Sequence, residues 1–263
     1  MNYSEAIKNK FSFLLPWIRL TRYREYVFKI LFVSLLGARC AGATLGFRLV
    51  IISLANILIT TLAFMFNDIE DASEDRFDAG KRKRNPVSAG QISVLCGQFV
   101  CLAIAFFVLG LYAFIGIGPL ILSLVNIIIL WEYSYRRIRL KARPLVDLFS
   151  HGIMLGGMQF LCAYYAFSIN FWQCLPVFIT VVAASMTGQF YNQLRDLAVD
   201  RQTDLKTTTS MLGYKHSYFF MRFLQVIILV VWGYIFGQNI VPFWLLVLFF
   251  VLFPVFVILL REK

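Results

Sequence analysis

An all-α bundle crossing a membrane about eight or nine times is the fold this sequence predicts. Three observations predict it. Of the 263 residues, 60% are hydrophobic, against about 45–50% in an ordinary soluble domain. Apolar runs of about 20 residues, the length one helical crossing needs, follow one another from Lys29 almost to the end. The basic residues, finally, are confined to alternate loops.

The elements follow in order. Residues 1–27 mix basic, aromatic and apolar side chains without the clean apolar core of a cleavable signal. Phe11 to Tyr26, with Trp17, Arg19, Arg22 and Arg24, is expected to lie along the cytoplasmic interface. Residues 28–263 form a single transmembrane domain, with helices expected at about 28–46, 48–67, 91–113, 116–133, 145–166, 171–193, 216–236 and 240–260. Small residues and Arg39 between Gly37 and Phe47 make the first boundary a weak one.

The formal net charge of +11 raises the question of nucleic acid, and placement answers it. Arg136, Arg137, Arg139, Lys141 and Arg143 fill one short loop, and Lys81, Arg82, Lys83 and Arg84 fill another. The loops Tyr112 to Gly118, Phe167 to Phe171 and Gly237 to Pro242 carry no charge, so the basic loops face the cytoplasm and membrane lipids, with no nucleic-acid partner. The five cysteines are scattered through apolar runs with no CxxC pair, which indicates neither a zinc site nor a disulfide framework.

The chemistry gathers at two acidic helix ends. In Asn67-Asp68-Ile69-Glu70-Asp71-Ala72-Ser73-Glu74-Asp75, a continuing helix places Asn67, Asp71 and Asp75 on one stripe that drifts only about 40° per step. Asn192, Asp196, Asp200 and Asp204 repeat the spacing. Like charges four apart on a helix repel, so each stripe calls for a cation, and hard oxygen donors suit Mg²⁺. Arg139 and Lys141 between the stripes, with Arg84 and Arg22, offer charge-assisted bonds to phosphate oxygens. A site with both metal-binding carboxylates and cationic side chains suits a diphosphate. Solvated helix ends and topology-setting basic loops are the plainer readings of each feature taken alone.

These residues carry a resemblance. Asn67-Asp68-x2-Asp71-x3-Asp75 resembles the first signature of the UbiA superfamily of intramembrane prenyltransferases, and Asp196-x3-Asp200 resembles the second. Tyr133-Ser134 followed by Arg139-Leu140-Lys141 is similar to that family's intervening loop, and Asn85-Pro86 to Gly90 to the turn after its first motif. Arg136 and Arg137 depart from it, standing where prolines are frequent. The resemblance implies a bundle of nine helices in most members and two Mg²⁺ ions bridging aspartates to an isoprenyl diphosphate. Asn67, Asp68, Asp71 and Asp75 would serve one ion, and Asp196 and Asp200 the other. Catalysis is then expected from Asp71, Asp75, Asp196 and Asp200, and substrate binding from Arg22, Arg84, Arg139, Lys141, Asp147, Asn192 and Asp204. The acceptor would be lipophilic or aromatic.

Asp147, His151 and Gln159 share one stretch of the fifth helix and would extend a polar stripe inward, although an aspartate at a helix start equally caps its own amides. Phe160, Tyr164 and Tyr165 are expected to hold the isoprenoid tail. Alternatives stay open: a cyclase with the same metal motifs would use intramolecular attack, and a non-enzymatic cation transporter would use the carboxylates alone. A CDP-alcohol phosphotransferase is disfavoured, because Ala72 and Asp75-Arg76 break its D-x2-D-G-x2-A-R core.

Overall fold

The computed structural model describes residues 13–202 and 205–260. All regular structure among them is helical. The α-helices are α1 (Leu14–Thr21), α2 (Val27–Cys40), α3 (Phe47–Asp75), α4 (Ala79–Arg84), α5 (Val94–Ile115), α6 (Ile117–Ser134), α7 (Val146–Tyr165), α8 (Phe171–Gln202), α9 (Thr208–Gly237) and α10 (Trp244–Leu260). Eight of them match the expected crossings, while α1 and α4 are short segments at the acidic end of the bundle.

Among the described residues, six helices, α3 and α5 to α9, are long and apolar enough to cross a membrane. Together with their exposed apolar faces, such as Phe99, Phe106 and Phe114 on α5 and Phe219, Phe223 and Leu229 on α9, they make this an integral membrane protein. Two helices are shorter than expected, α2 at 14 residues and α10 at 17. The first stops early because Gly42 takes a left-handed φ of 72°, which ends a helix at little steric cost.

Without a hydrophobic force between helices inside lipid, close approach depends on small residues and internal hydrogen bonds. Gly37 supplies the first: a β-carbon there would lie 2.6 Å from the Phe160 carbonyl oxygen of α7. Asn56 of α3 supplies the second. Its Nδ2 donates to Ser34 Oγ of α2 at 2.8 Å and to the Gln159 carbonyl of α7 at 2.9 Å, while Tyr112 Oη of α5 donates to its Oδ1 at 2.7 Å. One buried amide thus ties four helices in the middle of the bundle.

Gln159 belongs to this network, its Nε2 reaching Thr60 Oγ1 at 3.4 Å. It therefore braces the core rather than extending a stripe. Phe160 and Tyr164 are likewise fully buried in the α2–α7–α8 packing and offer no surface to an isoprenoid tail. A single π-turn, Ile153–Gly157, interrupts α7 where Gly157 packs against Phe178 and Val182 of α8.

Candidate functional site

Both acidic stripes are carried on helices, α3 running to Asp75 and α8 past Asp200 to Gln202. This runs against a local preference. The carboxyl end of a helix carries partial negative charge and favours cations, yet the last turns of α3 hold Asp71, Glu74 and Asp75 and no basic residue. The compensation comes from elsewhere in the chain. Lys141 Nζ lies 2.6 Å from both carboxylate oxygens of Asp71 and 2.9 Å from Asn67 Oδ1. Arg139 grips Glu74 through two bonds of 2.9 and 2.6 Å, with Asp71 3.7 Å away. Asn85 Nδ2 donates to Asp75 Oδ2 at 2.9 Å.

The two stripes face each other across a cavity of about 830 Å³. Asn67, Asp71 and Asp75 line one wall, and Asn192, Asp196 and Asp200 the other, with Arg139 and Lys141 between them. Asp196 pairs with its neighbour Arg195 at 2.9 Å. Burial is the largest influence on Asp200 and raises its pKa, with the Asp196 charge adding to it. The bonds from Arg139 to Glu74 raise the guanidinium's pKa further, fixing its charge. Carboxylates held apart and partly neutralised in this way can accept a cation, and the basic pair can accept an anion.

Four expected site residues are placed elsewhere. Asp68 is one residue round α3 from Asn67, so it points about 100° away from the stripe. There it is buried, 1% exposed, and pairs with Arg22 Nη1 at 3.3 Å. Arg22 also binds Glu25 at 2.6 Å and lies over the Phe64 ring at 4.7 Å. The pair fastens the segment after α1 to α3, and neither residue lines the cavity. Arg84 ends α4 exposed, outside the cavity wall.

Asp147 is fully buried, and its carboxylate is taken up by the chain itself. It accepts from Leu148 N at 2.8 Å, Gln193 Nε2 at 2.7 Å, Thr208 N at 2.7 Å and Thr208 Oγ1. It is a brace between α7, α8 and the start of α9. Asp204 lies outside the described residues.

The cavity also contains residues that the sequence reading did not assign: Tyr133, Gln189, Glu74, Lys81, Lys206 and Thr207. Gln189, three residues before Asn192, extends the α8 wall about one turn deeper, and its Nε2 donates to Tyr133 Oη at 3.2 Å. That extension is visible in the spacing. Lys206 and Thr207 reach the wall only because the chain turns back before α9, Thr207 capping that helix through Ser210.

Fold and site together define a membrane-embedded helical bundle with a charged cavity at one end, lined by carboxylates and by basic side chains. The chain matches the UbiA prenyltransferase family over residues 30–263 and belongs to it, so prenyl transfer is its class of activity. Among its relatives, the digeranylgeranylglyceryl phosphate synthase of Saccharolobus solfataricus is 24% identical over 262 residues, covering 91% of this chain and 87% of that protein. A UbiA homologue from Archaeoglobus fulgidus, solved bound to GPP and Mg²⁺, superposes with a TM-score of 0.74 at 20% identity, over 93% of this chain and 86% of that one. A structure from work on digeranylgeranylglyceryl phosphate synthase in membranes gives a TM-score of 0.70 at 18% identity, over 95% and 86% of the two chains.

Proposed function

We propose that the protein catalyses Mg²⁺-dependent transfer of a polyprenyl group from an isoprenyl diphosphate to a lipophilic or aromatic acceptor, releasing diphosphate on the cytoplasmic side. The observation that carries this reading is the single cavity in which both aspartate stripes and the Arg139–Lys141 pair meet. The donor set fits the metal. Asn67 Oδ1 and both Asp71 oxygens converge on one point, held by the Lys141 ammonium at 2.6–2.9 Å, and amide and carboxylate oxygens are the hard ligands Mg²⁺ prefers. Among the described residues no three acidic, histidine or cysteine side chains form a closed metal group. That suits an ion which usually completes its shell with phosphate and water.

Mg²⁺, when bound, supplies positive charge to the diphosphate oxygens. The chain's own residues do the rest. Asn67, Asp71 and Asp75 hold one side and Asp196 and Asp200 the other, with Asn192 beside them on the α8 wall. Arg139 and Lys141 take phosphate oxygens as the allylic C–O bond breaks with its electron pair leaving on oxygen. The allylic carbon gains cationic character and is attacked by the electron-rich acceptor, which gives up a proton to the departing diphosphate or to water as the new bond forms. The bundle below the cavity keeps bulk water from that carbon.

The relatives support the donor side, the A. fulgidus homologue having been solved with GPP and Mg²⁺ and with DMAPP and Mg²⁺. The name of the S. solfataricus relative supports a lipophilic acceptor. The basic residues at the cavity end support the cytoplasmic orientation. Purified protein incubated with Mg²⁺, a panel of isoprenyl diphosphates and candidate acceptors is expected to release pyrophosphate only when an acceptor is present. Release without acceptor would identify a cyclase instead, and none under any condition would remove the diphosphate reading.

Acidity gives a second expected result. A raised pKa means that metal-free Asp200 holds its proton more tightly in the folded protein than in the unfolded chain. Its ionisation therefore costs stability as pH rises through that pKa, and Mg²⁺ offsets the cost by binding the ionised form. As pH falls towards the raised pKa, the Mg²⁺ concentration for half-maximal turnover should climb, and Asp200→Asn should flatten the climb. An Mg²⁺ requirement with the same pH dependence in both proteins would remove Asp200 from the metal set.

A further inference from the structure

Glu74 stands on the cavity wall beside Asp75, in a place that the helix end itself disfavours. It lies in the last turn of α3, where the helix end disfavours a negative charge. Its side chain is half-exposed, and the bonds it makes among the described residues go to Arg139 alone. Those two bonds, from Nη1 and Nη2 to the two carboxylate oxygens, form the forked pairing that a guanidinium offers equally to a carboxylate or a phosphate.

Arg139 is aimed at considerable backbone cost. It takes a left-handed φ of 47°, a conformation disfavoured for a residue other than glycine. Two short bonds hold that turn in place: Arg139 N donates to the Tyr135 carbonyl at 2.8 Å, and Ala142 N donates to the Arg139 carbonyl at 2.9 Å. A strained turn that drives a guanidinium into a cavity, only for a carboxylate to cover it there, is a site with a built-in competitor.

We propose that Glu74 is an affinity-setting residue that occupies Arg139 in place of a phosphate group, so that the donor diphosphate must displace it on entry and Glu74 reclaims the guanidinium as pyrophosphate leaves. The proposal rests on the diphosphate reading above. Lys141 is held in the matching way by Asp71, which would serve a metal ion once that lysine turns to phosphate. Glu74 lies on the same face of α3, seven residues after Asn67, but its carboxylate is engaged by the Arg139 fork and not by Lys141, so its part is exchange with the anion.

The test is calorimetric titration of inorganic pyrophosphate with Mg²⁺ into the full chain in detergent, using wild type, Glu74→Gln, Arg139→Gln and the double variant, each checked for folding by its melting transition. Glu74→Gln should bind roughly two- to fivefold more tightly, the range expected for losing one partly exposed ion pair. The double variant should bind no more tightly than Arg139→Gln. In turnover, Glu74→Gln should lower KM for the isoprenyl diphosphate by a similar factor without raising kcat, because the competitor that aids release is gone. Equal tightening in both backgrounds would make Glu74 a bulk negative charge and overturn the proposal, as would no tightening with Arg139 intact. Failure of wild type to bind pyrophosphate at all would instead overturn the diphosphate reading itself.

Discussion

Replacing Asp71 or Asp196 by alanine is expected to lower turnover by at least about a hundredfold while leaving the protein folded. The size follows from the role. Losing a group that merely orients a metal ligand costs about 10–100-fold, and these carboxylates would be ligands on opposite walls of one cavity. The fold should survive because both side chains are partly exposed and sit at helix ends. Asp71→Ala also relieves repulsion among Asp71, Glu74 and Asp75, and Lys141 keeps Asn67 Oδ1 at 2.9 Å. The measurement is pyrophosphate release against Mg²⁺ concentration, with melting in detergent as the control. Near-normal turnover by either variant would sink the metal assignment for its wall.

The two walls differ in how they should respond to added metal. Asp71 supplies two of the three oxygens focused on a single cation position, so its loss should not be recovered by raising Mg²⁺. Among the described residues, Asp196 is paired with the adjacent Arg195 at 43% side-chain exposure, a looser position. Partial recovery at high Mg²⁺ is expected for Asp196→Ala, because Asp200 and Asn192 still stand on that wall.

What was legible in the sequence was whatever helix geometry alone fixes. A four-residue repeat stays on one face whether the helix is buried or exposed, so Asn67, Asp71, Asp75 and Asn192, Asp196, Asp200 emerged as stripes and the structure places them across one cavity. Arg139 and Lys141 were legible because a short loop between two crossings can only lie at that end. Asp68 failed for a reason that the same geometry supplies, since one residue of rotation turns it away from the stripe. Arg22 and Asp147 failed because burial and partner choice are tertiary facts. Nothing in the sequence of α7 says that Thr208, 61 residues later, will fold back to bond Asp147. Gln159 and Phe160 show the same limit inside the membrane, where a polar or aromatic side chain can brace helices as readily as line a chamber.

Asp147 gives the second large effect, on stability instead of chemistry. Its carboxylate is wholly buried and accepts four bonds, two of them from backbone N–H groups of Leu148 and Thr208. Alanine there leaves Thr208 N–H and the Gln193 amide without their acceptor, and each unsatisfied buried group costs about 1–3 kcal/mol. The melting transition of Asp147→Ala in detergent should therefore fall sharply. Asparagine should rescue only in part. Its NH₂ would face either the Leu148 and Thr208 Oγ1 side or the Gln193 and Thr208 N side, meeting donors on both, and Gln193 cannot turn its oxygen towards it without giving up the bond from Thr209 N at 3.1 Å. Measured below its melting temperature, Asp147→Ala should keep the wild-type KM for isoprenyl diphosphate and the wild-type Mg²⁺ requirement, because Asp147 does not itself line the cavity and meets its wall only through Gln193. A variant that melts like wild type but shows a tenfold higher KM would return Asp147 to the substrate, and would mean that the brace between α7 and α9 opens when the donor binds.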